Sequence, residues 1–273
     1  MPAFLLSALA ISGVCSGQSI EVCHADSLAG PMKELKIAFE AKNPGVKVNL
    51  VSGRSRELSG RILKGESCDV FAPSDPAVIK DMFGKKLNGK ETVSWYVVFS
   101  ANEMVVITKK GSPSEIRQMS DLSKQGVRVV RVTGETDMAT KRTVEFIKKA
   151  TAAEGNPDLA QKIIDDTAVQ ANTVPEAVQA IKDGKADAGV VYLSAAVAAD
   201  SAVDIVYFPA NINLSDTIRN AATVPGNAVN AQTANNFVQY IMSAEGQQLL
   251  KKTGQPPVVP PLQVGNVPPG LCQ

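Results

Sequence analysis

From residue 19 to residue 73 the chain repeats one pattern: a short apolar alternation, a tight polar loop, then apolar residues at helical spacing. This repetition restricts the fold more than any other feature. In the first unit, residues 19–24 (SIEVCH) read as a strand, Ala25-Asp26-Ser27 as a loop, and Leu28, Met32, Leu35 and Phe39 as one face of a helix that Asn43-Pro44-Gly45 stops. In the second unit Val46, Val48 and Leu50 alternate as a strand, Ser52-Gly53-Arg54-Ser55 forms the loop, and residues 56–64 form a helix ended by Gly65. Residues 69–73 (DVFAP) are a third strand. Strands joined through helices cannot pair by tight turns, so they lie parallel. The pattern predicts an α/β protein with largely parallel sheets flanked by helices.

The same reading predicts strands over residues 94–99, 104–108, 127–132, 188–192 and 203–208, with helices over 140–153, 159–165 and 175–183. Residues 217–224 read as a returning strand, and 231–252 as a helix with a weak point around Ser243. The tail from Gln255 holds six prolines between Pro256 and Pro269 and is expected to be extended and poorly ordered. A chain of 273 residues is large for one core and fits two lobes.

Lys and Arg number 28 against 27 Asp and Glu, and no basic block exists, which argues against nucleic-acid binding through counterion release. The apolar run over residues 1–14 is too short to span a bilayer and suits the apolar region of an export signal, with cleavage near Gly17-Gln18. The usual basic start is missing, so a buried core segment is the other reading. Lipid anchoring on Cys15 is a poor fit, because Val14 stands where a small residue is usual. The expected location is periplasmic or extracytoplasmic. After cleavage Cys23, Cys68 and Cys272 remain, an odd number. Cys23 and Cys68 lie on or beside neighbouring strands, so a disulfide suits an oxidising compartment; two small buried thiols is the favoured reading.

Two strand-to-helix loops carry a serine where the helix begins, Ser27 and Ser55, both expected as N-caps. Helix N-termini expose unpaired N–H donors, and two of them at the carboxyl ends of adjacent parallel strands form a donor-rich pocket for an oxyanion. Capping alone also explains either serine. Arg54 and Arg56 flank Ser55 and either touch an anion or are solvated. His24, the one histidine, is expected to be a hydrogen-bonded strand-end residue. No nucleophile–base constellation or G-x-S-x-G elbow exists. Residues 84–90 have phosphate-loop spacing, but Glu91 stands where the magnesium-binding Ser or Thr belongs, so a solvated basic turn is expected. No enzyme activity, cofactor or free metal cation is expected.

Four segments, HADSL (24–28), CDVFAPSD (68–75), NEMVVI (102–107) and DAGVVY (187–192), together resemble in order the periplasmic molybdate/tungstate-binding proteins of ABC importers. The resemblance covers roughly residues 20–252. It implies a two-lobed, hinged receptor, monomeric, that closes over a tetrahedral oxyanion and delivers it to a membrane permease. The implied organisation is a signal over 1–17, a first lobe over 18–104 and 208–254, a second lobe over 105–207, and a tail over 255–273. The implied donors are the hydroxyls of Ser27, Ser55 and Tyr192 and the backbone amides near Ala139 and at Val174. Molybdate and tungstate are dianions whose oxygens only accept hydrogen bonds, so a donor set suits them.

Two departures bear on the ligand. The archaeal-type tungstate branch brings carboxylates onto the metal; Asp137 fits one such place, but Val191 stands where the second belongs. Asp26 sits in the first loop, where small residues are usual, and a carboxylate repels a dianion unless it points away or the ligand carries a proton, as phosphate does. Phosphate and, for the uncharged donors, sulfate are the alternative ligands.

Overall fold

The computed structural model describes residues 18–112, 115–134 and 138–272; the expected export signal lies outside them. Strand β1 (Gln18–Ala25) passes through one 3-10 turn, Asp26–Leu28, into α1 (Ala29–Lys42). Then β2 (Val46–Gly53) leads to α2 (Ser55–Leu63), and β3 (Val70–Ala72) to α3 (Pro76–Lys80). A small hairpin, β4 (Lys86–Leu87) and β5 (Lys90–Glu91), occupies the basic turn and precedes β6 (Trp95–Ala101) and β7 (Met104–Lys109). The middle of the chain forms β8 (Val129–Val132), α4 (Met138–Ala153), α5 (Leu159–Asp165), β9 (Thr167–Ala171), α6 (Val174–Lys182), β10 (Ala188–Tyr192), α7 (Leu193–Ala198) and β11 (Val203–Val206). The last elements are β12 (Arg219–Ala222), α8 (Ala231–Met242), α9 (Ala244–Lys252) and β13 (Pro257–Gly265).

The repeated N-terminal units form a parallel sheet in the order β2-β1-β3, with Cys23 opposite both Val51 and Phe71. A second sheet, β12-β6-β13, is antiparallel, because β6 runs out of this lobe while β12 returns from the other one and β13 starts at the junction. Phe71 and Thr223 exchange two backbone hydrogen bonds, 2.9 and 3.0 Å, which join the two sheets around one core. That core packs Ile20, Val22, Met32, Leu35 and Phe39 of the first unit against Phe99 and Phe237.

The other lobe is a five-stranded sheet, β11-β7-β10-β8-β9, in which β8, β9 and β10 are parallel and β7 and β11 run against β10 and β7. Its core is separate and includes Val106, Val130, Phe146, Ile147, Ile181 and Val190. Gly189 is required there: a Cβ on it would sit 2.9 Å from Val130 Cγ1. The chain passes between the lobes at residues 102–103 and again at 219–220, since Leu214 and Ile218 are still buried in the second core and Ala222 is in the first. Backbone bonds hold the two passages together, from Asn102 N to Ile218 O (3.2 Å) and from Met104 N to Asn213 O (2.8 Å).

Ser243 does break the expected C-terminal helix. It ends α8 in extended geometry, and its hydroxyl accepts from Gly246 N at 3.2 Å to start α9. The tail differs from expectation. It is extended, but it is a strand: Leu262, Gln263 and Val264 pair with Val98, Val97 and Tyr96. Its prolines are tolerated because β13 is an edge strand, where a missing N–H need not interrupt a ladder, and the register is irregular between Pro257 and Leu262.

A chain ended after Gly254 leaves one edge of β6 unpaired. Urea unfolding should find it less stable by roughly 2–5 kcal/mol, the sum of a few ladder bonds, with faster amide exchange along β6. Unchanged stability and exchange would show that β13 contributes nothing to this lobe.

Candidate functional site

Parallel strands deliver their carboxyl ends to one edge of a sheet. In the first lobe β1, β2 and β3 therefore present three loops side by side, at Asp26–Leu28, Arg54–Ser55 and Pro73–Asp75. The expected N-cap roles of Ser27 and Ser55 are corrected here, because each strand hands over to its helix sooner than the sequence pattern suggested. Ala25 (φ −59°, ψ 147°) holds the cap position of the first turn and Arg54 (φ −69°, ψ 130°) that of α2, and neither makes a side-chain capping bond. Ser27 lies inside the 3-10 turn and Ser55 is the first residue of α2. Both hydroxyls are thereby released from capping. Ser55 Oγ accepts from Ser74 N at 3.3 Å, while the Ser27 hydroxyl has no partner among the described residues.

The Ser27 loop is fixed from behind. Its carbonyl accepts from Gln255 Nε2 at 3.2 Å, and the buried Gln255 accepts in turn from Asn220 Nδ2 at 2.8 Å, which also donates to Ser100 Oγ at 2.9 Å. This chain of amides ties the first loop to β6, β12 and the start of the tail strand.

In the second lobe β8, β9 and β10 end at the starts of α4, α6 and α7. Ala139 is the second residue of α4 and is buried. Val174 is the first residue of α6 and half-buried; Thr173 caps that helix by accepting from Glu176 N at 3.3 Å, with Pro175 in the first turn. Tyr192 ends β10 and is 7% exposed. Asp137 lies outside the described residues.

The two edges meet. Arg142, on the buried side of α4, donates from Nη1 to Tyr192 Oη (3.3 Å) and from Nη2 to Ser74 O (3.2 Å). Its guanidinium carbon stands 5.9 Å from the Tyr192 ring centroid. Ser55, Ser74, Arg142 and Tyr192 thus form one connected set across the lobes. No hydrogen bond joins Val174 to that set among the described residues. Nearby, Asn102 Nδ2 donates to Ser194 Oγ at 2.8 Å, and Gly254 brings its backbone against α7: a Cβ there would lie 2.9 Å from Ser194 Cα.

Arg142 and Ser74 were not singled out from sequence, and a signal for each existed. Ala139, Arg142, Thr143, Phe146, Ile147 and Ala150 follow helical spacing, so an arginine falls on an otherwise buried stripe. Ser74 follows the third strand as Ser27 and Ser55 follow the first two.

Asp26 is exposed and accepts from Ser52 Oγ at 2.5 Å, which directs its charge to the surface. Arg54 is exposed, and Arg56 makes only an exposed pair with Asp81 at 3.4 Å. Cys23 and Cys68 are free buried thiols, the Cys68 thiol pushed up by burial. At the crossing, burial raises the Glu103 carboxyl, to which Asn213 Nδ2 donates at 2.6 Å. His24 is buried at the end of β1 with Nδ1 2.9 Å from Ala25 O, and burial lowers its pKa below the usual histidine value.

The family model described as bacterial extracellular solute-binding protein matches residues 20–255. The molybdate-binding protein ModA of Mycobacterium tuberculosis (strain ATCC 25618 / H37Rv) is 29% identical over 239 residues, covering 87% of this chain and 84% of that protein. Two solved structures share the two-lobed fold. One is the substrate binding domain of a putative molybdenum ABC transporter from Clostridium difficile, with TM-score 0.69 and 22% identity over 88% of this chain and 99% of the other. The second is the Azotobacter vinelandii periplasmic molybdate-binding protein, with TM-score 0.67 and 20% identity over 86% and 98% of the two chains.

His24 gives a pH test of the first loop's anchorage. A histidine whose folded-state pKa is depressed stabilises the fold above the unfolded value, 6.5, and loses that contribution as pH falls toward the folded pKa. Wild type should therefore lose stability relative to His24→Gln below pH 6.5, by up to about 1.4 kcal/mol per pH unit in urea unfolding. A difference independent of pH would mean that the imidazole is not held neutral.

Proposed function

Because the chain belongs to the bacterial extracellular solute-binding proteins, we propose that it is the receptor of an ABC importer, capturing molybdate or tungstate between its lobes for delivery to a membrane permease. One observation carries the proposal beyond family membership. Two sets of parallel strands, each feeding helix N-termini, turn their carboxyl ends toward one junction, where Ser55 and Ser74 of one lobe connect through Arg142 to Tyr192 of the other. Such an edge is rich in N–H and O–H donors, and an oxyanion without protons needs only donors.

In this reading Ser27, Ser55 and Tyr192 donate hydroxyls and the amides of Ala139 and Val174 donate from the first turns of α4 and α6. The two passages between the lobes act as the hinge. Closure then converts anion binding into a shape that a permease recognises. The protein works as an extracytoplasmic monomer without catalysing a reaction. Asp26 gives no reason to favour a protonated ligand such as phosphate, because its exposed carboxylate already accepts from Ser52.

Calorimetry with molybdate, tungstate, sulfate and phosphate should find binding by the first two. Ser27→Ala and Tyr192→Phe should each weaken it by roughly 1–3 kcal/mol, the scale of a buried donor lost from a charged acceptor. If none of the four anions binds, the oxyanion reading falls; if both variants bind as wild type does, the donors lie in other loops.

A further inference from the structure

The five proposed donors are all neutral, yet the junction contains a full positive charge. Arg142 is 7% exposed, on the face of α4 that carries Phe146, Ile147 and Ala150 into the second-lobe core. A guanidinium in such a place has lost most of its water, and an uncompensated buried charge is strongly unfavourable. Among the described residues, the groups around it do not compensate it. They are the Ser74 carbonyl, the Tyr192 hydroxyl and the Tyr192 ring, and no carboxylate lies within ion-pair distance among the described residues.

The guanidinium is also underused as a donor. Among the described residues only two of the guanidinium's five N–H groups are engaged, both at 3.2 Å or more, longer than charge-assisted bonds usually are. Two residues before Arg142, in the first turn of the same helix, the Thr140 hydroxyl is buried without a partner.

We propose that Arg142 is a direct ligand of the captured anion, supplying the one full charge of the site and making the receptor selective for tetrahedral dianions over monoanions of the same shape. The proposal rests on the receptor reading above and adds the charge class of the ligand to it. A fixed cation attracts a dianion about twice as strongly as a monoanion at equal distance, and low local polarity enlarges the difference. Because the guanidinium also reaches Ser74 of the first lobe, the bound anion and the closing lobe share one anchor.

Perrhenate is the probe, a tetrahedral oxyanion close in size to tungstate with a single charge. Titration calorimetry of the full chain should show Arg142→Gln binding tungstate at least 30-fold more weakly than wild type. Its preference for tungstate over perrhenate should shrink at least fivefold, and Arg142→Lys, which keeps the charge, should recover part of that preference. Without anion, Arg142→Gln should melt at the wild-type temperature or above it, because it removes an uncompensated charge. Wild type that binds tungstate while Arg142→Gln binds within threefold of it, or loses both anions equally, overturns the proposal and leaves the receptor reading standing. A lower anion-free melting temperature for Arg142→Gln marks Arg142 as structural and also overturns it. Wild type that binds none of the oxyanions removes the receptor reading itself.

Discussion

Parallel pairing is the constraint from which the rest follows. A strand beside a parallel neighbour must be reached through a crossover, and the helix that makes the crossover begins where the previous strand ends. Every carboxyl end on such a sheet is therefore a helix start, with unpaired backbone donors. Here that happens at β1, β2 and β3 in one lobe and at β8, β9 and β10 in the other. The chain passes between the lobes at two short places, so the two donor edges are brought opposite each other. Apart from the small β4–β5 hairpin, antiparallel strands among the described residues occur where the chain leaves or re-enters a lobe, at β6, β7, β11, β12 and β13.

Opposed donor edges create an electrostatic requirement as well as a site. Helix starts, a buried tyrosine and a buried guanidinium with neutral neighbours all raise the local potential. The first lobe does not cancel it: Asp26, the carboxylate nearest in sequence to the first loop, lies at the surface on Ser52. Burial lowers the His24 pKa, which works against a second positive charge at the end of β1.

Much of the fold was legible because long apolar patterns dominate it. The strand over 188–192 and the helix over 159–165 have the bounds their patterns gave, and the weak point at Ser243 is a true break. The missed elements lack such patterns. Helix α3 has five residues, α7 (LSAAVA) is small residues continuing directly from β10, and β9 (TAVQA) is a short edge strand following α5 with one residue between. β13 was hidden by its prolines, which only an edge position tolerates. At the candidate site Ser27 and Ser55 were expected as N-caps, but the helical turns begin earlier, at Asp26 and at Ser55 itself, which moves the caps to Ala25 and Arg54. Arg142 was hidden because an arginine on a helix is usually solvated; its place on a buried stripe was the contrary signal.

The central claim is that the junction of the two lobes holds a dianionic oxyanion. Crystals of the tungstate-bound protein, measured at the tungsten absorption edge, test it most directly. A single strong anomalous peak is expected between the lobes, with oxygens in hydrogen-bond reach of Ser27, Ser55, Tyr192 and Arg142. A peak on the outer surface, or none at saturating tungstate, would contradict it.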